Sequence, residues 1–305
     1  MSYGELDLII IGAGPAGLTA GIYAGRSRLN TLIIEKMAVG GRILMSETIE
    51  NYPGFSNITT QELIQRMEDQ VRALGVKIEL GEVEDIDLTN KTVSFEGNKF
   101  KAKAIIIATG AKPRLLNVPG ETRLTGKGVS YCAICDAPFY KDKRVVVVGG
   151  GNTVAEEAVY LARFASKVTI VHRRDDLRAA PILQEKLKND NKIEFALSCI
   201  VTEITGANRV ESLKLKSVVT GEEKILACDG VFIYIGYDPD TGFLRNKLDL
   251  DEAGYIISSD MATSVEGVFA CGDCRKKSLY QVVTACSDGA MGADTVYKYI
   301  SSKGK

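Results

Sequence analysis

The sequence predicts an α/β protein built on parallel sheets, and three observations carry that prediction. Short β-branched runs alternate with longer amphipathic segments, the pattern of strand and crossover helix. One strand, glycine turn and helix unit occurs twice, as DLIIIGAGPAGLTAGIYAG and RVVVVGGGNTVAEEAVYLA. Each copy leads into a second apolar run, TLIIE or KVTIVHRR, and the interval from Gly12 to Glu35 equals that from Gly149 to His172. The chain therefore contains an internal repeat of a βαβ unit.

Each element of the unit has a physical reason. The apolar run is a strand, and Gly12 or Gly149 permits the tight turn that ends it. Gly14 or Gly151 lets backbone approach a pyrophosphate, which the exposed amides at the start of the following helix can hold. Gly17 lets the first helix pack closely on its strand. Val154 stands at that place in the second copy, so that helix is expected to pack less closely. The residue ending the second strand then distinguishes the two copies. Glu35 can accept hydrogen bonds from an adenosine ribose, as in FAD or NAD sites. The second copy has His172, Arg173 and Arg174 there, with Arg178 just beyond, and guanidinium groups suit the 2′-phosphate of NADPH.

Composition sets the outer limits. At 305 residues the chain can bury two domain cores, and 45% hydrophobic with 25% charged residues is the balance of a globular protein. A net charge of −1 gives no field to recruit nucleic acid or an anionic membrane. The N-terminal stretch lacks the basic region and length of a signal peptide, and no run reaches a membrane span. His172 is the only histidine, which excludes a histidine triad or a multi-histidine metal site. Seven scattered cysteines do not form a secreted disulfide framework, so a reducing, cytoplasmic setting is expected.

That setting bears on YCAICD at 131–136. Cys132 and Cys135 could form a structural disulfide, half of a zinc site, a redox-active dithiol, or nothing at all. A reducing compartment makes the structural disulfide the weakest of these. A second C-x-x-C, Cys271 and Cys274, lies far outside the spacing of a zinc ribbon. Cys271 reads as a small buried apolar residue, and a second redox pair is the lesser alternative. The run RKK at 275–277 reads as a solvated loop, or less readily as a docking point for an acidic partner.

With these motifs in order, the chain resembles the low-molecular-weight thioredoxin reductases of bacteria and archaea. GAGPAGL, ENYPGF, IIIATG, CAICD, GGGNT, HRRDDLRA, IGYDP and GVFACGD carry the resemblance over nearly the whole chain. It implies two Rossmann-like dinucleotide-binding domains, the NADPH domain inserted into a split FAD domain. The FAD domain would comprise 1–114 and 246–305, and the NADPH domain, with the redox-active cysteines, 115–245. FAD would be bound by Gly12, Gly14, Gly17, Glu35, Gly40, Gly41, Asn51, Gly110, Gly272, Asp273 and Gln281. NADPH would be bound by Gly149, Gly151, Asn152, Thr153, His172, Arg173, Arg174 and Arg178. Arg42 and Tyr280 depart from the family pattern, which has Gln and Arg at those places.

The resemblance also implies a mechanism. NADPH reduces FAD, the flavin reduces the Cys132–Cys135 disulfide, and the dithiol reduces thioredoxin. Cys135 would lie nearest the flavin, Cys132 would attack the partner, and Asp136 would handle protons. The inserted domain would rotate to let nicotinamide and dithiol reach the flavin in turn, and the protein would be a homodimer. A flavin dithiol oxidase is the nearest rival, against which the HRRDDLRA stretch argues. The non-enzymatic rival is a flavin-binding redox sensor, which slow flavin reduction by NADPH would reveal.

Overall fold

The computed structural model describes residues 5–45, 48–49 and 51–303, so Glu50 of the ENYPGF segment lies outside the described residues. The chain forms two compact units. One runs to Lys112 and resumes at Asp238, and the other is Pro113–Tyr237. Both crossings fall within short strands, Ala111–Pro113 and Tyr237–Pro239. The second crossing lies ahead of the boundary at 245 read from the sequence, because the Asp240 amide already donates to the Gly110 carbonyl at 3.0 Å.

Among the described residues, the sheet of the first unit has the order Lys77–Leu80, Thr31–Glu35, Leu6–Ile11, Asn98–Ile107, Thr92–Phe95, Val83–Asp87, and Val268–Ala270 also pairs with Asn98–Ile107. The first four strands and Val268–Ala270 run parallel, with Ile9 level with Leu32 and Ile105. Parallel strands covered on both faces are apolar throughout, which is why LDLIII shows no alternation. Leu8, Ile10, Ile33 and Ile106 enter one core, and Ile9, Ile11, Ile34 and Ile107 the other. Each such side chain contributes roughly 1.5–3 kcal/mol on burial. Helices Pro15–Arg26 and Val282–Lys303 meet through small residues, since a Cβ on Gly289 would lie 2.2 Å from the Ala16 carbonyl oxygen.

Pro113–Tyr237 repeats this plan. Its described parallel sheet has the order Val129–Ser130, Gly230–Tyr234, Arg144–Gly149, Lys167–Val171, Ile193–Ala196. Helix Asn152–Ala162 packs Ala155, Ala158 and Leu161 with Val145, Val147 and Ile170. A small antiparallel sheet of Cys199–Thr205, Ser212–Ser217 and Glu223–Ala227 completes the unit. In both units the chain leaves its glycine strand to one side and later returns on the other, at Asn98–Ile107 or Gly230–Tyr234. Such a reversal leaves a crevice beyond the carboxyl ends of the two strands, the place where α/β sheets bind ligands.

Candidate active site

Both glycine turns stand at these reversals. Gly12 has φ +107°, and a Cβ there would lie 2.4 Å from the Ala108 carbonyl oxygen; Gly149 has φ +142°, and its Cβ would lie 2.3 Å from that of Tyr234. Only glycine tolerates either position. The next glycines behave differently. Around Gly14 the nearest atom to such a Cβ is the Gly40 oxygen at 3.8 Å, and around Gly151 nothing lies within 4 Å. Each turn is therefore closed at its base and open above the start of a helix, a cradle that fits a nucleotide pyrophosphate. The third positions differ as their side chains require. A Cβ on Gly17 would lie 1.8 Å from the Gly12 oxygen. Val154 carries a real Cβ, so its helix cannot approach Gly149 as closely.

Glu35 is set as a ribose acceptor would be, at the end of its strand, with Oε2 accepting from the Ala13 amide at 2.8 Å and Oε1 from the Met37 amide at 3.1 Å. In the second unit His172 is buried, and a Cβ on Gly150 would fall 2.3 Å from its ring. It forms the floor under the glycine turn, where burial and then the fields of Arg178, Arg174 and Arg173 hold its pKa down. Those three arginines are exposed around it. The Arg178 amide donates to the Gly150 carbonyl at 2.7 Å, and Asn152 Oδ1 accepts from the Ala180 amide at 2.8 Å, so this loop is tied to the turn. Thr153 is exposed beside it. The arrangement fits a nucleotide carrying an extra phosphate.

The remaining expected FAD residues lie in the same unit as the first turn. The Gly40 amide donates to the Ala13 carbonyl at 2.9 Å, and a Cβ on Gly41 would lie 3.5 Å from Gly14 Cα. Gly110 has open space around it. Asn51 Nδ2 donates to Gln281 Oε1 at 3.1 Å, just ahead of helix Val282–Lys303. The Gly272 amide donates to the buried Asp288 carboxylate at 3.0 Å. Asp273 receives Arg42 at 2.9 Å and has Lys277 Nζ at 2.9 Å. The RKK run is thus no solvated loop: Lys276 is exposed, but Arg275 and Lys277 turn inward to Asp288 at 3.4 and 3.5 Å.

Cys132 and Cys135 form a disulfide with Cα atoms 5.3 Å apart, at the start of the turn Ala133–Asp136. Both residues are half-buried, and the Cys135 amide faces Cys132 Sγ at 3.3 Å. Two hydroxyls hold this turn. Ser130 Oγ accepts from the Cys132 amide at 3.1 Å and donates to Asp136 Oδ2 at 2.6 Å. The buried Tyr234 hydroxyl accepts from the Ala133 amide. Burial pushes the Asp136 pKa up, against the Ser130 hydrogen bond, so this carboxyl keeps its proton to higher pH than an ordinary aspartate. Sequence reasoning missed Ser130, Tyr234 and Asp288. The Ser130–Asp136 spacing was a visible signal, whereas Tyr234 and Ala133 are 101 residues apart.

The second C-x-x-C is different. Cys271 and Cys274 are free thiols with no exposed surface. Burial drives both pKa values upward, that of Cys274 to about 12.

A family model for pyridine nucleotide-disulphide oxidoreductases matches residues 6–289. The chain belongs to that family. It is 50% identical over 306 residues to a thioredoxin reductase of Peptoclostridium acidaminophilum, covering 97% of each chain. Against the thioredoxin reductase of Bacillus subtilis it is 47% identical, covering 96% of this chain and 94% of the other. The crystal structure of thioredoxin reductase from Streptococcus pyogenes superimposes with a TM-score of 0.93 at 44% identity, over 99% of this chain and all of that one.

Proposed function

We propose that the protein is an NADPH-dependent flavoprotein that reduces the disulfide of thioredoxin through Cys132 and Cys135. The observation that carries this reading is the presence, in one chain, of two open glycine cradles and a half-buried C-x-x-C disulfide. When bound, NADPH supplies a hydride and FAD passes the electron pair to the disulfide. The first unit binds FAD: Gly12, Gly14, Gly17, Gly40 and Gly41 take the pyrophosphate side and Glu35 the ribose. Asn51, Gly110, Gly272, Asp273 and Gln281 serve the flavin side. The second unit binds NADPH at Gly149, Gly151, Asn152 and Thr153, with Arg173, Arg174 and Arg178 on the 2′-phosphate and His172 beneath the turn.

The chain's own chemistry follows. Two electrons and one proton open the Cys132–Cys135 bond to a thiol and a thiolate. The Cys132 thiolate attacks the partner disulfide, and a mixed disulfide forms as one partner sulfur leaves. Cys135 then attacks Cys132, restoring the internal disulfide and releasing the partner as a dithiol. Asp136, with its raised pKa, holds the proton that a leaving thiolate needs. Ser130 keeps that carboxyl beside the turn.

No described helix is long and apolar enough to cross a membrane. Five free cysteines beside the one disulfide support a reducing, cytoplasmic setting. A homodimer and a rotation of the inserted unit are what the family resemblance implies. Anaerobic turnover with NADPH or NADH and a thioredoxin tests the reading. Rapid formation of thioredoxin thiols, with NADPH preferred and the preference lost on replacing Arg173 and Arg174, is the expected result. Flavin reduction without thioredoxin thiols would overturn the assignment of substrate.

A further inference from the structure

Of the sequence motifs, IGYDP at 235–239 takes no part in the chemistry above. Its Tyr237 is the last residue of the unit Pro113–Tyr237, and the Tyr237 hydroxyl donates to the Tyr131 carbonyl at 2.7 Å. Tyr131 stands directly before Cys132 and is buried, and its own hydroxyl donates to Glu121 Oε1 at 2.9 Å. Glu121 also accepts from the Leu116 and Asn117 amides at 3.0 and 2.8 Å, close to the start of the same unit. We propose that Tyr237 and Glu121 are positioning residues of the dithiol: through Tyr131 they hold Cys132, and they couple the redox state of Cys132–Cys135 to the hydrogen bonds at both ends of the unit. The proposal deepens the disulfide-reductase reading and rests on it.

The peptide group between Tyr131 and Cys132 is the point of coupling. Being planar, it moves as one body, and Cys132 Cα lies in its plane. Its carbonyl accepts from Tyr237 and its amide donates to Ser130 Oγ at 3.1 Å, so it is gripped on both sides. Opening the disulfide releases the Cys132 side chain from Cys135. The first backbone group that can follow is this peptide, and any turn of it changes the Tyr237 hydrogen bond.

The far anchors are firm enough to feel such a change. Glu121 is 1% exposed, and Gly120 before it has φ +89°. A Cβ on Gly120 would lie 1.9 Å from the Ile204 carbonyl oxygen, so the backbone there is pressed onto strand Cys199–Thr205. A buried carboxylate is costly without its donors, which keeps Leu116, Asn117 and Tyr131 on Glu121. The two ends of the unit also meet each other, since the Arg114 amide donates to the Gly236 carbonyl at 2.9 Å. Hydrogen bonds therefore lead from Tyr131 to either end, and the ends join beside Tyr237.

The test is amide hydrogen exchange in the purified holoenzyme, read by mass spectrometry on fragments covering 114–120. It is run with the Cys132–Cys135 disulfide intact and after anaerobic opening by dithiothreitol, which supplies two electrons and two protons. In wild-type protein, opening should raise exchange at Arg114, Leu116 and Asn117 roughly threefold to tenfold, the scale of one hydrogen bond. Tyr237→Phe should abolish that redox dependence at Arg114, and Tyr131→Phe should abolish it at Leu116 and Asn117. Coupling is reciprocal, so each variant should also shift the glutathione exchange constant of Cys132/Cys135 towards the dithiol by a similar factor. Tyr237 is half-buried and loses only its hydroxyl, so Tyr237→Phe decides the matter if Tyr131→Phe does not fold. Exchange that ignores redox state in wild-type protein, or redox dependence at Arg114 that survives in Tyr237→Phe, would overturn the proposal. So would faster exchange in both redox states of Tyr237→Phe with an unchanged glutathione constant, the mark of a merely structural role. If dithiothreitol and glutathione leave wild-type Cys132–Cys135 untouched, it is the disulfide-reductase reading that fails.

Discussion

Cys132/Cys135 and Cys271/Cys274 share one spacing and almost nothing else. The first pair is half-buried, oxidised, and flanked by Asp136, whose pKa burial has raised. The second has no exposed surface, and Cys274 Sγ donates to the carbonyls of Ile107 and Cys271 at 3.4 and 3.3 Å. Cys271 fills the space opposite Gly292, where a Cβ would lie 2.2 Å from the sulfur. Asp288, which faces the second site, is already met by Arg275 and Lys277. The spacing allows a small ring to close. Exposure and available proton donors decide whether the ring does chemistry.

The largest effect that would sharpen this contrast is loss of turnover. Cys132→Ser or Cys135→Ser should lower thioredoxin reduction by roughly 10³-fold or more, the scale of removing a covalent nucleophile. Cys271→Ala and Cys274→Ala should leave the rate unchanged, and an equal loss in either would break the contrast. Next comes the proton donor. Asp136→Asn should cost about 10²-fold in thioredoxin reduction near neutral pH while the first reduction of the flavin by NADPH keeps its rate, which stopped-flow absorbance would separate.

Stability effects are smaller. Gly292→Ala should destabilise the first unit by about 1–3 kcal/mol through overpacking on Cys271. Combined with Cys271→Ala, the added methyl should occupy the space of the lost sulfur and the two costs should partly cancel in a double-mutant cycle. Additive losses in denaturant melts would show that Cys271 does not fill that gap. The smallest effect concerns pH. The folded Glu157 pKa of about 7 lies above the ordinary 4.5, so its contribution is fully present below about 4.5 and is lost as pH rises through 7. Glu157→Gln should flatten that part of the melting profile, and a profile parallel to wild type would contradict the burial of this carboxyl.

Much of the fold was legible because glycine spacing records demands of the backbone. Gly12, Gly14 and Gly17, with Gly149 and Gly151, mark positions where a Cβ is impossible or where open space is needed, and a sequence states such positions directly. Val154 was legible for the same reason. The charge contrast between Glu35 and the arginines around His172 could be read too, but not the burial of His172 under Gly150. The hydrogen bonds that hold the dithiol turn could not. Tyr234 reaches Ala133 from a strand far along the chain, and Glu157 looks like its exposed neighbour Glu156 until the helix is packed. The RKK run misled because a charge run signals solvent only when no buried carboxylate waits for it, and Asp288 was hidden in the helix Val282–Lys303.

The central claim is that one of two identically spaced cysteine pairs accepts electrons from NADPH. Anaerobic titration of the holoenzyme with NADPH, followed by the flavin absorbance and by thiol counting, tests it directly. Wild-type and Cys271→Ala protein should both take up an electron pair beyond that held by the flavin, with new thiols at Cys132 and Cys135, and Cys135→Ser protein should not. Uptake of that second pair by Cys135→Ser, or its loss in Cys271→Ala, would contradict the account.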